Sequence, residues 1–168
     1  VRYTPAVAMQ FDDVSTGRTI ATVVNWHDHP EVLASRNTRI SSDFPHFLRQ
    51  RMEARLGGTC VYFSGLVGGQ IGALGSTKVP LYGRGGTPVS EPAKTAARGN
   101  PFPRFVSKPS IDKIRSIGFL VADECLTALA VEPFQANPVL SVQTADHDVD
   151  LVNPVFQGLG FSLGMRAG

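Results

Sequence analysis

Apolar positions fall into short blocks separated by polar, glycine-rich joints. Residues 6–11 (AVAMQF) form one such block, DDVSTGRT follows as a turn-rich joint, and TIATVVNW (19–26) resumes the apolar pattern. This order predicts a strand, a glycine-containing loop and a second strand, paired as a hairpin. The second strand is apolar on both faces around Ile20, Ala21, Val23 and Val24, as a central strand covered on both sides would be. His27, Asp28 and His29 follow it, and Pro30 stops any continuation.

The period then changes from two to 3.6. In ISSDFPHFLRQRMEARLGG, Phe44, Phe47, Leu48, Met52 and Leu56 recur at helical spacing, while Arg49, Gln50, Glu53 and Arg55 take the other side. Ser42 or Asp43 caps the start, Pro45 suits the first turn, and Gly57 and Gly58 end it. The spacing thus predicts a helix over 44–56. TCVYFSG (59–65), rich in β-branched and aromatic residues, reads as a buried strand. Strand, helix and strand at these lengths make a βαβ unit, with a parallel pair inside a mixed sheet.

Beyond Ser64 the glycines thicken, at Gly65, Gly68, Gly69, Gly72 and Gly75. Residues 76–110 are dense in proline, glycine and basic residues without lasting periodicity, as in a functional insertion, a lid or a mobile segment. Helix returns after Ser110, with Ile111, Ile114, Ile117, Val121, Cys125 and Leu129 along one stripe. PVLSVQTADHDVDLVNP (138–154) alternates as a strand closed by Asn153-Pro154. The final VFQGLGFSLGMRAG is apolar and glycine-rich, which as a solvent-exposed tail would be odd and suggests that the chain continues in a parent protein. The fold class expected is α/β: a mixed β-sheet with a βαβ unit and flanking helices, in one domain over 1–168 that is a segment of a larger catalytic domain.

Bulk composition narrows the function classes. Hydrophobic residues at 42% and charged residues at 18% describe a globular chain. A net charge of +2 with dispersed basic residues gives no ground for a nucleic-acid partner. No apolar run approaches the roughly 18–20 residues that span a bilayer, so no transmembrane segment is expected. VRYTPAVAMQ lacks the basic start and apolar block of a signal peptide. The 2 cysteines, Cys60 and Cys125, sit in apolar company and read as buried free thiols.

The chemistry-bearing residues are few. Of the 4 histidines, His27 and His29 lie two apart, on one side of an extended chain, with Asp28 opposite. Imidazoles so placed are within chelating reach of one ion, and a carboxylate beside them can ligate or orient. A polar exit from a strand explains the same letters. The glycines after Ser64 fit either an anion-binding turn or a tight turn after a strand; GLVGGQIG has no G-x-G-x-x-G, and GALGSTK lacks the Walker A ending. YFSGL is not the G-x-S-x-G elbow. His147, among Asp146, Asp148 and Asp150, fits a divalent-ion site or the polar face of a strand, and His46 lies in the first turn of the helix over 44–56.

Taken in order, VVNWHDHPEVL, RISSDFPHFLRQRME and CVYFSGLVGGQIGAL resemble the neutral/alkaline ceramidase family and its bacterial ceramidase-like relatives, over residues 19–75. The helix over 111–131 and VDLVNPVFQ are collinear with it. The resemblance implies a secreted or periplasmic zinc hydrolase that cleaves an amide (N-acyl) or ester bond, with a lipid among the substrates it suggests. It implies that His29, of the His-Pro pair, is a zinc ligand, with His27 as its neighbour. Further ligands then lie in the remainder of a parent chain or on a partner chain. The family's nucleophilic serine falls on Gly65 and the aspartate of that turn on Gly69, with Ser64 one place early as the catalytic candidate and Gly65, Gly68 and Gly69 beside the substrate. The alternative expectation is a catalytically degenerate ceramidase-like scaffold with a structural or surface-interaction role.

Overall fold

The computed structural model describes residues 6–65, 72–73, 77–90, 103–146, 152–155 and 158. It divides into two units, Val1–Phe134 and Gln135–Gly168. The described residues are mixed α/β: a three-stranded mixed sheet, a small two-stranded sheet and two helices, all in the first unit.

β1 (Val7–Asp12) and β2 (Thr19–Trp26) pair antiparallel, with Val7 opposite Asn25 and Phe11 opposite Ala21. The joint between them is built on Asp13, whose carboxylate accepts from the backbone of Ser15 and Thr16 and from both hydroxyls. β3 (Thr59–Ser64) lies on the other side of β2, parallel to it, with Ala21 opposite Thr59 and Trp26 opposite Ser64. Between β2 and β3 in the chain runs α1 (Phe44–Leu56). Asp43 caps it: one carboxylate oxygen accepts from Phe44 N–H at 2.8 Å and the other from Leu33 N–H at 3.0 Å. Gly57 and Gly58 end it with φ of 80° and 64°, and a Cβ on Gly58 would meet the Ile20 carbonyl oxygen at 2.5 Å.

α2 (Ile111–Val131) starts at Ser110, whose hydroxyl accepts from Lys113 N–H. It crosses α1 closely at Gly118, where a Cβ would lie 2.6 Å from the Phe44 carbonyl oxygen. The two helices and the inner sheet face enclose a core that includes Val24, Val32, Phe44, Leu48, Met52, Cys60, Ile114, Ile117 and Cys125. Phe44 is its aromatic centre, edge-on to Trp26 at 5.3 Å and to Tyr62 at 5.5 Å.

The structure corrects three expectations. β2 is covered on one face only: Thr22 and Val24 are buried beneath the helices, while Ala21, Val23 and Asn25 lie on the more open side. β3 likewise buries Cys60 but leaves Val61 and Phe63 exposed, so it is half-buried. Among the described residues of 138–154 there is no strand; 138–146 are exposed and carry no ladder partner, and alternation without a neighbouring strand leaves the backbone to water.

The proline- and glycine-rich stretch is more regular in its described part than its composition suggests. β4 (Val79–Pro80) and β5 (Phe105–Val106) pair antiparallel, and single bridges join Tyr82 to Pro88 and Ser90 to Pro103. Side chains from both helices fasten it. Ser116 Oγ accepts from Tyr82 N–H, Arg115 Nε donates to the Tyr82 carbonyl, and Arg51 donates to the Gly86 carbonyl. Arg51 also grips Asp123 with two nitrogens, at 2.6 and 2.8 Å, and lies over the Phe119 ring. That second layer explains why α2 buries Lys113, Arg115, Ser116 and Phe119 outside its apolar stripe, while Ile111 is exposed. Among the described residues no helix is long and apolar enough to cross a membrane.

Candidate functional site

The carboxyl ends of the parallel strands β2 and β3 lie side by side, the usual place for a ligand in an open α/β sheet. The chain's exit from β2 is tied to β3 there. The Tyr62 hydroxyl donates to the carbonyls of Trp26 at 3.2 Å and Asp28 at 3.3 Å, and the Ser64 hydroxyl reaches the Asp28 carbonyl at 3.4 Å. Burial pushes the Tyr62 phenol up to about 12, so it stays a donor throughout the physiological range. The period of two puts Cys60, Tyr62 and Ser64 on one face of β3, so the alternation of the strand aligns the tyrosine with Ser64.

Asp28 turns inward and is buried, whereas His27 and His29 are partly exposed. Desolvation raises the Asp28 carboxyl to about 6, against the lowering effect of backbone N–H donors at Ala73 and His29; the His29 charge lowers it and Asp43 raises it. Asp28 therefore ties the strand end to residues 72–73, and its carboxylate is engaged by backbone rather than presented beside the imidazoles. His29 lies near Glu31, Nδ1 to Oε1 at 4.0 Å.

Gly65 continues from β3 with its N–H on the Trp26 carbonyl at 2.9 Å. His27 lies directly over it: a Cβ on Gly65 would fall 2.0 Å from His27 Nδ1 and 2.5 Å from Cε1. The imidazole thus fills the space a serine side chain would need at this position. Ser64, the catalytic candidate, has a backbone carbonyl as its acceptor, which orients the hydroxyl without taking up its proton.

The structure therefore brings His27, Asp28, His29, Ser64 and Gly65 together at one strand end. Gly68 and Gly69 lie outside the described residues, as do His147, Asp148 and Asp150. His46 is exposed at the start of α1, edge-on to Phe47. Among the described residues no three His, Cys, Asp or Glu side chains form a group able to hold a metal ion. Cys60 and Cys125 are free, buried and pushed up to about 11 by burial, which keeps both thiols protonated and unreactive. No protein-family model, no curated protein and no solved structure matches this chain.

Proposed function

We propose that the chain is a segment of a larger, ceramidase-like catalytic domain and that its strand end supplies part of a zinc-dependent hydrolase site acting on an amide (N-acyl) or ester bond. The observation that carries this reading is the convergence of His27, His29 and Ser64 at the adjacent carboxyl ends of β2 and β3. His29 would hold the metal, and His27 lies close enough in sequence to share or border the ion. Zinc in such a site supplies Lewis acidity toward a carbonyl oxygen. The remaining ligands would come from outside these residues, on a parent or partner chain. A lipid amide in a secreted or periplasmic setting is the substrate class that the resemblance to ceramidases suggests.

Within this reading, the chain's own residues favour attack by water over an acyl-serine route. Gly65 has no side chain, and His27 occupies the volume that one would fill. Ser64, its proton held by the Asp28 carbonyl beside Tyr62, would accept from and so orient a water. The same packing favours a second reading, a ceramidase-like scaffold without catalysis that has a structural or surface role, because the serine position is closed.

Equilibrium dialysis against zinc separates the two. The hydrolase reading expects zinc to be retained by the chain joined to the remainder of its parent, lost in His29→Ala and kept in His147→Ala. If neither the purified chain nor its full-length parent retains more zinc than the His29→Ala variant, the metal reading fails and the scaffold reading stands. Hydrolysis of an N-acyl amide or a p-nitrophenyl ester by the chain joined to its ligand-completing partner, lost on chelation, is the corresponding activity test.

A further inference from the structure

A second feature lies outside the strand end. The loop that carries Arg36 and Arg39 and the segment leading into α2, which carries Lys108, form the walls of a cleft of about 690 Å³. That volume falls in the range of small-molecule sites, roughly 300–1,000 Å³. Among the described residues its charged lining is Arg36, Arg39 and Lys108, with no carboxylate. Leu33, Pro109 and Ile111 supply apolar lining between the cations.

Both walls are fixed to the core. Leu33 N–H is held by the Asp43 carboxylate at the start of α1, and Asn37 clamps the backbone of Arg39, donating to its carbonyl at 2.7 Å. On the other side the buried Lys113 ammonium donates to the Ser107 carbonyl at 2.8 Å, next to Lys108. Arg51 and Arg115 are paired with Asp123 and Asp112; Arg36, Arg39 and Lys108, like the exposed Arg18 and Arg55, have no ion pair among the described residues. With 16 basic and 14 acidic residues in the chain, this unbalanced trio reflects placement rather than a general excess of positive charge.

We propose that this cleft binds a phosphate-bearing anion, with the two guanidiniums and the ammonium taking its oxygens and Leu33, Pro109 and Ile111 taking the organic part. Guanidinium groups match tetrahedral oxyanions through paired N–H donors, and a lysine adds a point charge. A soluble phosphomonoester and a phospholipid headgroup present the same chemistry, so the source is a matter for experiment. The site is independent of the zinc reading and uses none of its residues.

The test is a titration of the chain with inorganic phosphate and with glycerol phosphate, followed by NMR chemical shifts, together with flotation on phosphatidylcholine vesicles with and without phosphatidic acid. Arg36→Gln, Arg39→Gln and Lys108→Gln are the variants; all three positions are exposed, and unchanged thermal melts verify folding. Each is expected to weaken binding about threefold to tenfold, as one solvent-exposed charge-assisted contact is lost, and the triple variant to abolish it. Saturable binding of the free anions identifies a soluble ligand. Binding confined to vesicles that contain phosphatidic acid identifies a headgroup. If the triple variant binds both probes as the unmutated chain does, or if neither probe binds, the proposal is overturned.

Discussion

The two faces of the central sheet share a backbone and differ in almost everything else. On the inner face Thr22, Val24 and Cys60 are sealed beneath α1 and α2. On the outer face Val7, Met9 and Phe11 of β1 stand in register with Asn25, Val23 and Ala21 of β2, which in turn face Phe63, Val61 and Thr59 of β3. This is a continuous and largely apolar surface, and Met9 and Phe63 keep 50% and 55% of their area exposed. In β1 the larger apolar side chains point outward while Ala8 and Gln10 point in. Hydrophobicity therefore does not choose the covered face here. The helices do, through the ring of Phe44 and the close crossing at Gly118.

One residue type tests that difference on both sides. Phe44 is fully buried and edge-on to two aromatic rings, so Phe44→Ala should lower unfolding free energy by about 3–5 kcal/mol, through lost burial and a cavity. Phe63 is already about half in water, so Phe63→Ala should cost about 1 kcal/mol or less. Urea denaturation of both variants is the measurement. Equal losses would mean that the outer face is covered in solution.

Gly118→Ala probes the helix crossing itself. The added methyl would meet the Leu48 nitrogen at 2.7 Å and the Phe47 Cβ at 2.8 Å, in addition to the Phe44 carbonyl oxygen. Two of these contacts are backbone and cannot swing aside, so α2 must back away from α1. A loss of about 2–3 kcal/mol is expected, read from the midpoint shift in urea. A neutral result would show that the helices do not sit this close.

At the strand end the comparison becomes one of pH. The Asp28 carboxyl is raised to about 6 by burial, whereas in the unfolded chain it sits near its ordinary value of about 3.9. Between about pH 4 and 6 the folded state keeps a proton that the unfolded state releases, so this group makes stability fall as pH rises through that window. Asp28→Asn retains an acceptor for the Ala73 and His29 N–H groups and carries no charge. With chelator present, its stability relative to the unmutated chain should rise from pH 4 to pH 6 by on the order of 1–2 kcal/mol. A difference that stays constant across this range would show that Asp28 titrates normally.

Much of this architecture is legible in the letters. Period-3.6 spacing marks α1 and α2, and Asp43, Ser110 and Gly57 punctuate them, because caps and apolar stripes act within a few residues of themselves. What escapes is long-range. Whether β2 is covered on one face or two depends on which helices return to it, and Ile20, Val23 and Val61 read the same either way. Ordering of the proline-rich stretch depends on Arg51, Arg115 and Ser116, which lie in helices and look like surface polar residues in sequence. In the candidate site, the pairing of His27 with His29 is visible in the spacing, but the seating of His27 over Gly65 is not. It requires β2 and β3 to be parallel and in register at Trp26 and Ser64.

The inner face also carries the smallest expected effect. Thr22 is 1% exposed, and its hydroxyl has no hydrogen-bond partner among the described residues. A buried hydroxyl without a partner has lost its water and gained nothing in exchange, while its methyl group packs like that of valine. Thr22→Val keeps the shape and the β-branch and removes the unpaired oxygen, so it should raise unfolding free energy by about 1 kcal/mol. The same exchange at Thr59, which faces the outer side and is exposed, should change little, because water already serves that hydroxyl. A stabilised Thr22→Val beside an unchanged Thr59→Val would show that the inner face is dry. If Thr22→Val is instead destabilised, the hydroxyl has a partner in solution, and water or a polar group reaches beneath the helices.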